Sequence, residues 1–339
     1  MWCAMALLPL LPLLNGRGDS AAGPEKGEFE RRVMRASLSL LDQGTWLADL
    51  RIPGAEGENL VVVEPAFAWR DGQRWRVVTS AAGIVDTDGE THSQVEIREA
   101  WGGVTAGDFD FSAGRRILRW STGYAFTPTG VLDPPRNPTD PEDRLSLTEG
   151  RNMVAVDWVN GGSALTAAWA GNITALRYNT MVDGFDTALI YAHEDGQPNL
   201  AGFNFTRVLG DAFEVHGELA HRNGMAALAG GKYAMRSGVT FISEFYSPEA
   251  PRQGQYFFAN CGKARLRELP GWKEWDVSAS VVANLTDGSR MFFGDVARRI
   301  GDKVSLTGHA EAPRGKAWRS EFGMVPYAAL VSIGIRYQL

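Results

Sequence analysis

The sequence predicts an all-β fold, an antiparallel transmembrane β-barrel of sixteen to eighteen strands, with eighteen the best count. Three observations predict it. Apolar and polar side chains alternate with a period of two in run after run, so each strand has one apolar and one polar face. Glycine-bearing turn signals separate these runs at short spacing, and no helical segment of the βαβ kind intervenes. Charged residues occupy mid-strand positions on the polar faces while aromatics gather near strand ends, which suits a wet lumen inside a lipid-facing wall better than a dry sandwich core.

Taken in chain order, residues 1–22 read as an export signal and 23–339 as the barrel. Residues 4–14 form an apolar core, and Ser20-Ala21-Ala22 offers the small side chains a signal peptidase requires, although no Lys or Arg precedes the core. Strands are expected at 28–41, 58–70, 73–86, 91–105, 108–120, 150–159, 163–171, 173–181 and 185–194. The second half supplies 199–209, 212–222, 226–236, 238–247, 254–263, 274–285, 288–298, 303–311 and 326–339. Losing 173–181 and 254–263 would leave sixteen. The run "AFEVHGELAHR" shows the pattern: Phe213, Val215, Gly217 and Leu219 oppose Glu214, His216, Glu218 and Ala220. An even count places both termini and the Gly turns near 71, 107, 161, 183 and 301 on the periplasmic side. Segments 42–57, 121–149, 248–253 and 312–325 then face outward, and 263–275 reads as a short periplasmic helical excursion.

Bulk composition narrows the function classes. A net charge of −6 favours no nucleic-acid surface. Two cysteines, Cys3 and Cys261, are too few for a disulfide framework. His216 stands beside Glu214 and Glu218, but no G-x-S-x-G nucleophile accompanies it, so it reads as a lumen histidine rather than a catalytic base. Neither metal-ligand spacing nor a phosphate loop is present, so no enzyme activity and no cofactor is expected.

The longest interruption follows "FDFSAGRRILRW". If Phe109, Phe111 and Ala113 face lipid, a strict ladder turns Arg115 and Arg119 to lipid as well, and Arg116, Leu118 and Trp120 inward. A cation at mid-bilayer costs about 2–4 kcal/mol, falling toward zero at the interface. The sequence therefore predicts a bulge at Gly114 that sends Arg115 and Arg119 inward and Leu118 and Trp120 to lipid; the alternative is that the arginines snorkel at the rim. Turned inward, they would meet Asp133, Asp140, Glu142 and Asp143, and an acidic loop pinned to a basic wall would narrow the lumen. A solvated external loop is the other reading. The pore-lining candidates are Arg115, Arg119, Arg98, Glu96, Arg76, Glu64, Glu214, His216 and Glu218.

Two stretches carry a family resemblance. "YAALVSIGIRYQL" ends with an aromatic third from the end and an apolar last residue, and resembles the assembly signal of bacterial outer-membrane barrels, although Leu339 stands where that family usually has Phe or Trp. Gly114, Arg115 and Trp120 resemble the strand end that leads into a Pro/Asp-rich loop in porin-like and alginate-export-like channels of Gram-negative bacteria, with Ser121-Thr122-Gly123 replacing a direct Trp-Gly step. Shorter pieces, "HGELAHR", "ISEFY", "VANLTDGS" and "SEFGMVPY", are similar too. The resemblance implies an outer-membrane channel that passes small polar or anionic solutes or exports a polymer. Its implied partners are outer-membrane lipids and the barrel-assembly machinery, met through strand 326–339. A non-conducting barrel acting as receptor or structural protein is the alternative, with a lipid-modifying enzyme behind it.

Overall fold

The computed structural model describes residues 32–48, 59–71, 75–86, 92–136, 138, 148–250, 254–263 and 273–339. The expected export signal and most of the expected periplasmic excursion lie outside them. Eighteen strands run β1 (Arg32–Ala48), β2 (Asn59–Asp71), β3 (Trp75–Asp86), β4 (His92–Ala106), β5 (Phe109–Arg116), β6 (Arg151–Asn160), β7 (Ser163–Ala170), β8 (Ile173–Val182) and β9 (Phe185–Glu194). They continue as β10 (Leu200–Leu209), β11 (Phe213–His221), β12 (Met225–Ala234), β13 (Val239–Ser247), β14 (Tyr256–Lys263), β15 (Trp275–Asn284), β16 (Arg290–Ile300), β17 (Val304–Arg314) and β18 (Ala329–Gln338).

Every strand pairs antiparallel with its sequence neighbours, and β1 pairs with both β2 and β18. Leu41, for example, lies opposite Val62 on one side and Arg336 on the other. The sheet therefore closes on itself, which satisfies the backbone groups that a membrane core could not hydrate. Strand pairing extends β1 to Ala48, beyond the expected end at 41, because alternation continues through Gln43 and Thr45; β2 pairs with it as far as Gly44 and β18 as far as Ala48.

Outward positions form an apolar belt that includes Leu189, Val331, Ile333 and Ile335. Trp69, Trp75, Trp158 and Trp275 stand on the outward phase at the rim of short turns, and Trp46 and Trp169 do so at the rim of long connections. Two tryptophans near expected strand ends do not join them on the outward phase. Trp101 faces inward beneath the Arg116 guanidinium, 4.9 Å from its ring, and Trp120 is buried inside the lumen.

The fifth strand also differs from expectation. It ends at Arg116 rather than Trp120, and its register with β4 and β6 runs unbroken through Gly114. The bulge lies instead in β4: Ser80 faces Glu99 and Ala81 faces Ile97, which leaves Arg98 as the extra residue. Gly114 has another task. At φ +127° a Cβ there would come within 2.3 Å of the Ala100 carbonyl, so only glycine fits at this point of the strand, two residues before its end.

Candidate functional site

Once past Arg116 the chain enters the barrel instead of rising from it. Leu118, Trp120 and Leu132 bury against Ala168, Ala175, Ala188 and Ala192, whose small inward side chains leave room for the loop. Farther round the wall, Ala125 and Phe126 pack with Phe258, Val282, Met291 and Phe293. Residues 117–136 therefore lie inside the lumen, and Leu118 and Trp120 do not face lipid as the sequence predicts. Apolar burial decides this, since lumen alanines and the loop's large side chains complete one another.

Two wall glutamates hold the loop. Glu218 on β11 accepts the Thr122 and Gly123 N–H groups (2.5 and 2.8 Å) and the Thr129 N–H and hydroxyl (2.9 and 2.7 Å). On β13, Glu244 accepts the Tyr124 and Ala125 N–H groups, the latter at 2.9 Å. Both carboxylates are buried, a placement that costs several kcal/mol unless hydrogen bonds surround the charge, as they do here. Asn204 on β10 adds a bond from Nδ2 to the Trp120 carbonyl at 2.8 Å. His216 lies between Glu244, at 2.9 Å, and Glu214, at 3.6 Å, and Gly230 opposite makes the space: a Cβ there would sit 2.3 Å from His216 Nε2. The Tyr124 hydroxyl donates to Glu214 at 3.0 Å. Burial, with Glu214 and Glu244 close by, pushes the Tyr124 phenol above its ordinary value, so it stays a donor.

For Asp133 and Arg115 the docking differs from the predicted scheme. Within residues 117–136 the observed contacts are loop amides on acidic wall residues. Asp133 pairs with neither Arg115 nor Arg119. Its carboxylate accepts the Trp120 N–H at 2.7 Å and the Ser121 N–H at 3.2 Å, closing the loop on itself. Asp140, Glu142 and Asp143 lie outside the described residues. Arg115 keeps the outward phase, against the predicted inward turn, and sits at the rim where it pairs with Glu149 and donates to the Gly150 carbonyl at 3.0 Å. Arg119 is exposed.

The remaining candidates line the inward phase. Arg98 pairs with Glu64 at 3.1 Å, and its bulged position aims it at the Thr148 carbonyl. Arg76 pairs with Asp110, whose neighbour Asp157 lies 3.9 Å from Arg116. Glu96 shares the inward phase of Ala82, its partner on β3. These side chains keep between about a seventh and a third of their surface exposed, so water reaches the lumen wall.

Several residues escaped the sequence reading. Glu244, Asn204 and Lys232, whose ammonium lies 5.2 Å from the Tyr124 ring, all hold inward positions in period-two runs. Their signal was that position alone. Arg136, inside the loop, donates to the Tyr124 carbonyl at 2.9 Å, and its pKa is lowered by burial and by Arg119. Asp295, His309 and Glu311 form a second inward cluster, with His309 2.8 and 2.9 Å from the two carboxylates.

No family model matches the sequence, and no curated protein matches it either. Solved structures do. A mutant of the Rhodopseudomonas blastica porin aligns at TM-score 0.53 with 11% identity, covering 91% of this chain and 100% of the other. Pseudomonas aeruginosa OccK11 (OpdR) aligns at TM-score 0.60 with 11% identity, covering 90% of this chain and 96% of the other. At such identities the likeness is one of fold: the chain forms a closed, eighteen-stranded barrel of the bacterial porin type.

Proposed function

We propose that the protein is a passive channel of the bacterial outer membrane for small polar solutes. The observation that supports this best is the infolded loop. Residues 117–136 cover the inner wall on β6–β16, while the other side of the lumen keeps the water-contacting pairs Glu64–Arg98 and Arg76–Asp110. Among the described residues this loop narrows the lumen from one side, and charges along the opposite wall select by sign and size. That narrowing favours small solutes over an extended polymer. Pore-lining roles fall to Glu64, Arg76, Glu96, Arg98 and Arg119, while Glu214, His216 and Glu218 serve to hold the loop. Like barrels of this type, the chain is taken to insert through the assembly machinery by strand 326–339.

Planar-bilayer recording tests the proposal. Folded protein is expected to give stepwise ohmic conductance, and deletion of residues 125–147 is expected to enlarge each step. Correctly folded protein that leaves the bilayer silent, with the deletion variant conducting, identifies a plugged barrel instead.

A further inference from the structure

Between the loop and the long-connection rim lies a cavity of about 630 Å³, lined by Phe126, Tyr246, Tyr256, Phe322, Arg136 and Glu321 among others. Its volume falls in the range of small-molecule sites. Three of its rings form one surface: Phe126 stacks on Tyr246 at 4.8 Å and lies 5.7 Å from Tyr256, which in turn lies 6.3 Å from Tyr246. Such a surface offers flat apolar area to a ring or a long aliphatic group.

The charges at this surface are of opposite sign, and among the described residues neither meets its opposite at ion-pair distance. Among the described residues Arg136 donates to the Tyr124 carbonyl alone, its buried Nε has no acceptor, and no carboxylate lies within ion-pair distance. Glu321 accepts from the Tyr256 hydroxyl at 3.0 Å and from Asn284 Nδ2 at 2.7 Å, and among the described residues no cation is within reach of it. A guanidinium and a carboxylate that line one cavity without meeting one another leave room for a ligand that answers both. A sugar would use the rings but leave both charges uncompensated, and a simple anion would satisfy Arg136 and be repelled by Glu321.

We propose that this cavity is a binding site for a zwitterion with an apolar body, namely an aromatic or large aliphatic α-amino acid. The carboxylate meets Arg136, the ammonium meets Glu321, and the side chain lies on Phe126, Tyr246 and Tyr256. This deepens the channel reading, on which it rests only for how the solute reaches the cavity.

The probe is L-phenylalanine at neutral pH, with N-acetyl-phenylalanine, phenylalanine amide and maltose as controls. Two readouts are taken: block of open-channel current, and titration calorimetry on the detergent-folded barrel. L-phenylalanine is expected to bind and block, and the three controls to do so at least about tenfold less well. Arg136→Gln and Glu321→Gln should each weaken L-phenylalanine binding about tenfold, the loss of one charge-assisted pair. Arg136→Gln should at the same time restore part of the relative affinity for phenylalanine amide, which has no carboxylate to place. Heat-modifiable gel mobility confirms that both variants fold. Equal binding of N-acetyl-phenylalanine or maltose overturns the proposal, as does a conducting barrel that shows neither block nor heat. A barrel that binds L-phenylalanine but does not conduct leaves the site standing and removes the channel reading.

Discussion

Glu218 receives more of the loop than any other wall residue described, through the amides of Thr122, Gly123 and Thr129 and two hydroxyls. Glu218→Ala leaves these donors facing a cavity, and each unpaired buried donor costs about 1–3 kcal/mol. The expected result is an undocked loop, read as larger and noisier single-channel conductance with an intact barrel by gel mobility. Gly230→Ala acts one layer behind. Its added methyl must displace His216, which bonds Glu244, so the same loosening is expected at an overpacking cost of about 1–3 kcal/mol. A lowered thermal midpoint with strand content unchanged checks it.

The strands were legible in the sequence because a closed sheet with one wet and one greasy face forces period two, and because Asp-Gly and Asn-Gly turns mark where it reverses. The course of the loop was not. What docks it is a row of peptide N–H groups, which leave no mark in a sequence, and the Glu244 that receives two of them looks like any inward strand residue. The bulge was misplaced for a related reason. Gly114 is the residue that a sequence flags, while the extra residue, Arg98, is held out of register by its bonds to Glu64 and the Thr148 carbonyl. A further element-scale device joins the connection 285–289 to 315–328. Asp287 accepts the Ser289 N–H and hydroxyl at 2.8 and 2.6 Å and the Glu321 N–H at 2.7 Å. Burial raises its pKa, but these bonds outweigh that and hold it below the ordinary value. A depressed carboxylate stabilises the fold above its unfolded-state pKa, and that contribution is lost as pH falls through the folded value. Acidification below the ordinary carboxylate range should therefore lower the exchange protection of the Glu321 and Phe322 amides relative to their intrinsic rates at each pH, and Asp287→Asn should show the lowered protection already at neutral pH.

At the scale of the whole molecule, the environment of the outer face is the testable quantity. Ile333 is 55% exposed on the outward phase of β18, a strand that closes the barrel against β1. Were that face in water, Ile333→Arg would be nearly neutral. In a bilayer it costs about 2–4 kcal/mol near the midplane. Equilibrium folding into lipid vesicles should show a loss of that size, while Arg115→Ile, at the interface rim, should change little by burial and lose only its bonds to Glu149 and Gly150.

The way the loop is held also separates two tasks that most binding surfaces combine. The anchors belong to the wall, and apart from the hydroxyls of Thr122, Tyr124 and Thr129 what they grip is main chain, which every residue except proline presents in the same form. Side chains facing the remaining channel can therefore be exchanged without asking the anchors to change, and proline at Tyr124 or Ala125 is the substitution that should cut the loop loose. The barrel behaves as a socket with an exchangeable insert, so long as the side chains that pack on the wall, Leu118, Trp120, Ala125, Phe126 and Leu132, are kept.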